Sequence, residues 1–210
     1  MPPSPQIRSP EKQTKGARTA ARILDAAETV FAERGFESAS LREIARRAKI
    51  QQPGLYNHFA SKRDLYAAVL DRALAPMAAA MTEHMRESRP QNALAALPAI
   101  MTDLLFEHPK MAALFQQALQ GEASPGQDLM RDWLDHLLTR GVATARRASP
   151  ERTNRIDLAI QVVAMFNLTT GYFLSQRAFD ILRVGDLADP KNVARQKRLL
   201  GRVSRAIARG

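Results

Sequence analysis

An all-α fold is predicted by three features of the sequence. From Arg18 onward, apolar residues recur at spacings of three and four, as in helices with one buried stripe. Helix start and stop signals punctuate these stretches: two Ser-x-x-acid boxes, Gly35, and the breaks "SRPQ", "HP", "EASPG", "ASPE" and "VGDLADP". Nowhere is there a sustained alternating β-branched run with hairpin chemistry.

Residues 1–17 read as a flexible basic arm, because Pro2, Pro3, Pro5 and Pro10 precede a polar, charged stretch. Ala20, Ile23, Ala27, Val30 and Phe31 then give a first helix that ends at Gly35. After "FESAS", Ser40 and Glu43 form a capping box that opens a second helix of about two turns. Leu41, Ile44, Ala45 and Ala48 give that helix one apolar side. The chain turns at Lys49-Ile50 into a third short segment, where Pro53 suits the first helical turn and Leu55 and Phe59 face inward. Ser61 with Asp64 opens a long helix that Pro76 interrupts. Further helices are expected near 92–107, 109–120, 126–147, 152–178 and 191–208.

Composition narrows the function classes. The chain has 210 residues, 45% of them apolar, enough for a real core in one large or two modest domains. Lys and Arg number 31 against 21 acids, a net +10 that favours a polyanionic partner. Seven of those cations lie between Lys191 and Arg209 without one acid, so net charge alone does not locate a nucleic-acid face. The absence of cysteine excludes disulfides, thiol catalysis and cysteine-ligated zinc. The N-terminus has no apolar run of signal-peptide type, and the longest apolar-rich segment, Ile156 to Leu174, is interrupted by Asp157, Gln161 and Asn167. A cytoplasmic protein without a membrane span is expected.

Two short helices joined by a tight turn cannot bury themselves. Leaned on the first helix, with Ile44, Ala48, Ile50 and Leu55 inward, they make the three-helix unit of a helix-turn-helix. Gln51, Gln52, Pro53, Gly54, Tyr56 and Asn57 then remain outside, flanked by Arg42, Arg46, Lys49, Lys62 and Arg63. Amides suit base edges; cations and a hydroxyl suit phosphates. Lys62 stands in the first turn of a helix, where free N–H groups already favour a phosphate.

The stretch "SLREIARRAKIQQPGLYNHFASKRDLYAAVL" resembles the DNA-binding motif of the TetR family of bacterial transcriptional regulators. The marks are "IA" in the second helix, Ile50 in the turn, "LYNHF" and "SKRDL". The resemblance implies a DNA-binding domain over residues 18–65, with its motif at 40–59, and a helical effector-binding and dimerisation domain over 66–210. It implies base recognition by Gln51, Gln52, Pro53, Gly54 and Asn57, and phosphate contacts by Ser40, Tyr56 and Lys62, with Arg42 at the flank. His58 reads either as a hydrogen-bonder between helices or as a DNA contact. Arg46 and Arg47 read first as a solvated face. The family commonly has glycine where this chain has Lys49, so that lysine is expected to take positive φ at a cost of about 1 kcal/mol.

The implied partners are double-stranded DNA carrying a palindromic operator, a small-molecule effector, and a second copy of the chain. Dimerisation is expected through the helices near 152–178 and 191–208, since Ile156, Ile160, Val163, Phe166, Leu168 and Phe173 surround the former on more sides than one core stripe needs. Candidate effector-pocket residues are Met101, Leu105, Phe115, Trp133, Leu137, Phe166, Asn167 and Thr170; for each, plain core is the competing reading. Asn167 and Thr170 stand out as polar groups on an apolar helix that would need partners if buried. No cofactor or metal is implied.

Two other classes compete with this reading. A non-specific nucleic-acid binder would rest on total charge and the basic C-terminal helix. An all-helical metal-dependent enzyme would rest on Asp132 and His136, four apart, although such a pair is ordinary on a helix surface. The sequence shows neither H-E-x-x-H nor a nucleophile elbow, and an enzyme is not expected.

Overall fold

The computed structural model describes residues 15–87, 90–120, 125–148 and 154–209. Among these residues the chain is built from α1 (Lys15–Ser38), α2 (Leu41–Arg47), α3 (Gln52–Tyr56), α4 (Lys62–Glu87), α5 (Pro90–Glu107), α6 (Lys110–Gln120), α7 (Pro125–Ala148), α8 (Arg155–Phe173), α9 (Gln176–Leu182) and α10 (Pro190–Arg209), with no strand. The all-α expectation is correct. Residues 1–14 of the expected arm lie outside the described residues, and α1 begins at Lys15 rather than Arg18. Lysine and alanine form helix readily without any apolar periodicity, and the Thr19 hydroxyl closes on the Lys15 carbonyl at 3.0 Å.

Gly35 breaks the first helix as expected. It takes φ 74° and ψ 172°, a conformation open to glycine at little cost, and a further turn follows to Ser38. The box at Ser61 also forms: its Oγ accepts from the Asp64 amide at 3.1 Å and donates to the Asp64 carboxylate at 2.8 Å. The box at Ser40 does not. Ser40 occupies the N-cap position but makes no side-chain cap bond, and the Glu43 carboxylate that would make the return bond of the box is engaged by Arg34 at 3.2 Å and Arg47 at 2.8 Å.

The helix expected over 152–178 is two helices. Ser175 takes φ −102° and ψ 20°, and its Oγ donates to the Gly171 carbonyl at 2.6 Å. The backbone closes there in tighter bonds, Leu174 to Gly171 at 3.2 Å and Ser175 to Tyr172 at 3.1 Å, and a serine hydroxyl turned back on its own helix favours such a bend. Helix α8 resumes as α9 after Leu174 and Ser175.

One continuous apolar core runs from Ile23, Phe31 and Leu55 through Tyr66 and Met77 to Met101, Phe115 and Phe166. Phe31 meets Tyr66 edge-on at 4.9 Å, and Phe36 lies 5.1 Å from the same ring, so α4 seals the first three helices. Gly126 lets the start of α7 close on that ring: a Cβ there would stand 2.6 Å from Leu70 Cδ1 and 2.9 Å from Tyr66 Cε1. Polar ties join α1 to its neighbours. Arg72 of α4 pairs with Asp25 at 2.7 Å and Glu28 at 2.6 Å. On α6, Lys110 Nζ donates to Thr29 Oγ1 at 2.8 Å and Gln117 Nε2 to the Ala32 carbonyl at 3.1 Å.

Helix α8 buries Leu158, Phe166, Thr169 and Thr170, while Ile156, Ile160, Val163 and Leu168 on its other side remain exposed. Among the described residues it is the one helix long and apolar enough to cross a membrane.

Candidate nucleic-acid interface

The turn between α2 and α3 is fixed almost entirely by backbone. Ile50 donates its amide to the Ala45 carbonyl at 3.0 Å and Lys49 donates to Arg46 at 3.1 Å, the paired closure of a Schellman motif. That closure needs a left-handed residue, and Lys49 supplies it at φ 55°. Ile50 then packs on the shared core, completing the apolar contact that accompanies such caps.

Helix α3 starts from Gln51, whose extended backbone offers its carbonyl to the Gly54 amide at 2.9 Å, with Pro53 in the first turn. Leu55 is wholly buried and Phe59 packs against the same core, so the segment's inward side is settled. Its other side carries the predicted readers. Gln51, Gln52, Pro53, Tyr56 and Asn57 are all exposed, Tyr56 to 50%. At Gly54 a Cβ would meet no protein atom within 4 Å, and its φ is not positive, so neither space nor backbone demands glycine there. His58 is half-buried just beyond the helix, and its amide bonds to Leu55.

The surrounding cations divide into two sets. Arg47 is structural: it donates to Glu33 at 2.8 Å and to Glu43, which raises its own pKa and holds the Glu33 carboxyl below the usual range. Arg42, Arg46 and Arg63 are exposed and form no ion pair among the described residues. Lys62 is half-buried, with Nζ 2.9 Å from the Glu37 carbonyl and 4.7 Å from the centre of the Phe36 ring. An ammonium has three donors, so this anchorage leaves two for a phosphate. Ser40, with no cap bond to make, keeps an exposed hydroxyl.

Arg22 is the residue that sequence reasoning missed. From α1 its guanidinium donates to the carbonyls of Ala48 and Lys49, the unpaired end of α2 and the turn itself. No local pattern marks an arginine that acts 26 residues further along.

The candidate pocket residues are brought together as packed side chains. Met101, Leu105, Phe115, Trp133 and Phe166 are buried in the common core. Phe115, Trp133 and Phe166 form a ring cluster with centroids 6.1 to 6.4 Å apart. One expectation needs correction. Asn167 is exposed rather than buried, because it lies on the outer side of α8 with Val163 and Leu168. Thr170 is buried, but its hydroxyl donates to the Phe166 carbonyl at 2.8 Å, so its own helix satisfies it. The side chain of Leu137 lies outside the described residues. Asp132 and His136 are both exposed.

Residues 23–69 match the family model described as bacterial regulatory proteins, tetR family. Over these residues the chain carries a TetR-family DNA-binding domain. The A-factor receptor protein of Streptomyces griseus is 31% identical over 124 residues, 59% of this chain and 43% of that protein. The HTH-type transcriptional activator FasR of Mycolicibacterium smegmatis is 42% identical over 64 residues, 30% of this chain and 29% of that protein. The chain thus spans less than half the length of these curated relatives. A solved structure of the fatty acid degradation regulator FadR from Bacillus halodurans superposes with a TM-score of 0.69 at 18% identity, over 91% of this chain and 97% of that one. That likeness extends the TetR-like fold to the remaining helices.

Proposed function

We propose that this TetR-family chain is a homodimeric transcriptional regulator that reads a palindromic operator and is released by a small-molecule effector. In keeping with the family's usual mode, repression is the expected direction. One observation carries the reading: α3 buries Leu55 completely while turning Gln51, Gln52, Pro53, Tyr56 and Asn57 into solvent, on a turn held by α1, α2 and their caps. A solvent-facing row of amides on a rigid short helix is fitted to base edges in a major groove. Tyr56, Ser40, Lys62 and Arg42 fit phosphate contacts around it, which position the helix without reading sequence.

In this reading residues 18–65 are the DNA-binding domain and the helices after 65 form the regulatory domain, in a protein of the cytoplasm. The exposed Ile156, Ile160, Val163 and Leu168 of α8, beside α10, supply the face for a second copy. A two-fold axis then sets two heads on successive major grooves, which is why the operator is palindromic. An effector entering around Phe115, Trp133 and Phe166 displaces apolar packing, so its buried part is apolar. Repacking there moves α6, and Gln117 and Lys110 pass the shift to α1. Release is a population shift toward a head spacing that misfits DNA.

The test is to recover genomic fragments bound by the purified chain and sequence them. An inverted repeat shared by the fragments supports the reading; fragments with no common sequence contradict it. Trp133 is the chain's single tryptophan. Its fluorescence therefore reports directly on ligands that enter beside it.

A further inference from the structure

The excursion between α8 and α10 has no part in the head or in the packed core. Helix α9 buries none of its residues, and Ile181, Leu182 and Val184 are exposed to 74%, 68% and 53%. Three large aliphatic side chains held together in water give no return for the entropy of ordering them. Yet the segment is firmly pinned. Tyr172 Oη donates to the Leu187 carbonyl at 2.6 Å, Gln176 Oε1 accepts from the Leu187 amide at 3.0 Å, and Asn192 Nδ2 donates to the Asp186 carbonyl at 2.8 Å. Phe179 stands edge-on to Tyr172 at 5.7 Å. The helix closes as α2 does, with Arg183 at φ 54° and the Val184 amide on the Phe179 carbonyl at 3.1 Å.

An open groove of about 620 Å³ lies along this element, lined by Gln176, Phe179, Asp180, Arg183, Gly185 and Asp186. Between Gln176 and Asp189 three acids, Asp180, Asp186 and Asp189, outnumber two cations, Arg177 and Arg183. The following helix is the opposite: seven cations and no acid from Lys191 to Arg209. Within one chain Lys197 is taken by Asp103 at 2.6 Å and Arg195 by Asn192 at 2.8 Å, whereas Arg198 and Arg202 are exposed and form no ion pair among the described residues.

We propose that α9 and its flanking turn are a docking hook for the second copy of this chain, with the aliphatic tip and the acidic groove seating the arginine edge of the partner's α10. The chain leads from the exposed apolar side of α8 straight into the hook, so the contact continues the dimer face. The inference rests on the dimeric reading above. An arginine suits the groove because its stem can lie along Phe179 while its guanidinium meets Asp180 or Asp186. Residues on the hook are exposed, so their replacement leaves the core intact.

Sedimentation equilibrium of the full chain tests this, comparing wild type, an Ile181→Asp/Leu182→Asp variant and an Asp180→Asn/Asp186→Asn variant, with circular dichroism as a folding check. The expected result is a wild-type dimer whose dissociation constant rises about tenfold or more in the aspartate variant. The asparagine variant should show a flatter salt dependence of dimerisation than wild type. A wild-type dimer with an aspartate variant within about twofold of it overturns the hook and leaves the dimer standing. An unchanged salt dependence overturns the seating of arginine in the acidic groove. A monomeric wild type overturns the dimeric reading itself. Because the chain has no cysteine, a Leu182→Cys variant adds a readout independent of stability: maleimide labelling slow in the dimer and fast on dilution supports the hook, and equal rates contradict it.

Discussion

Arg22 Nη2 lies 3.2 Å from the carbonyl oxygen of Lys49, a contact that binds the first helix to the turn between the next two. The same group donates to the Ala48 carbonyl, so one cation serves the negative end of α2 and the only strained residue of the motif. The pose of α3 depends on that turn, so if α3 reads DNA as proposed, Arg22 is expected to affect reading through the turn. Arg22→Met keeps the aliphatic stem and removes the donors. Chemical denaturation should show a loss of about 1–2 kcal/mol, as for hydrogen bonds from a charged group partly open to solvent. Operator affinity, measured on the fully folded variant by fluorescence anisotropy, should fall as well; an unchanged affinity would remove Arg22 from the site.

Lys49 offers the opposite experiment. At φ 55° a lysine carries a steric cost that glycine avoids. Lys49→Gly should stabilise the chain by about 1 kcal/mol, seen as a higher denaturation midpoint at constant slope. A loss of stability would mean that the lysine side chain holds the turn by contacts of its own.

Gly54 separates folding from binding. No protein atom lies within 4 Å of the Cβ it lacks, and its backbone needs no positive φ. In Gly54→Ala, stability should hold or rise by about 0.5–1 kcal/mol, since alanine loses less freedom in a helix. Operator binding should weaken, because the methyl group would stand on the face proposed to approach the duplex. Intact binding by this variant would show that the glycine has no role at the interface.

The pH response of the α8–α9 junction follows from Tyr172. Burial raises its phenol pKa above the ordinary value, with Asp186 and Asp189 adding to the shift. A folded-state pKa raised in this way means that the neutral phenol's contribution is complete below the unfolded-state value. It is lost as pH rises through the folded-state value. Wild type should therefore lose stability in alkaline solution more steeply than Tyr172→Phe. Parallel alkaline denaturation curves for the two would contradict the assignment.

Much of the head was legible in the sequence, because its signals are local. Ile44, Ala45, Ala48 and Leu55 mark the buried sides of α2 and α3 by spacing alone, and Pro53 and the Ser61 box mark where helices begin. The failures share a different cause, which is a partner distant in sequence or a competition within the backbone. Ser40 lacks its reciprocal cap, with Glu43 engaged by Arg34 and Arg47. The break at Ser175 is a change in backbone bonding, with Leu174 and Ser175 closing on carbonyls three residues back, which no glycine or proline at the break announces. Asn167 was placed on the wrong side because α8 is apolar nearly all round, and such a helix does not announce which face is inward. Ile181 and Leu182 lie beyond the helix expected over 152–178, in a short α9 that buries none of its residues and so leaves no apolar stripe to read.

The central claim, that the outer side of α3 reads base sequence, is tested most directly by one ratio: affinity for a selected operator over affinity for a scrambled duplex, at physiological salt. For wild type the ratio should be about 10³ or more, and Gln52→Ala should shrink it by weakening operator binding while leaving the scrambled duplex bound as before. A wild-type ratio near unity, or a ratio that survives Gln52→Ala unchanged, would contradict the account.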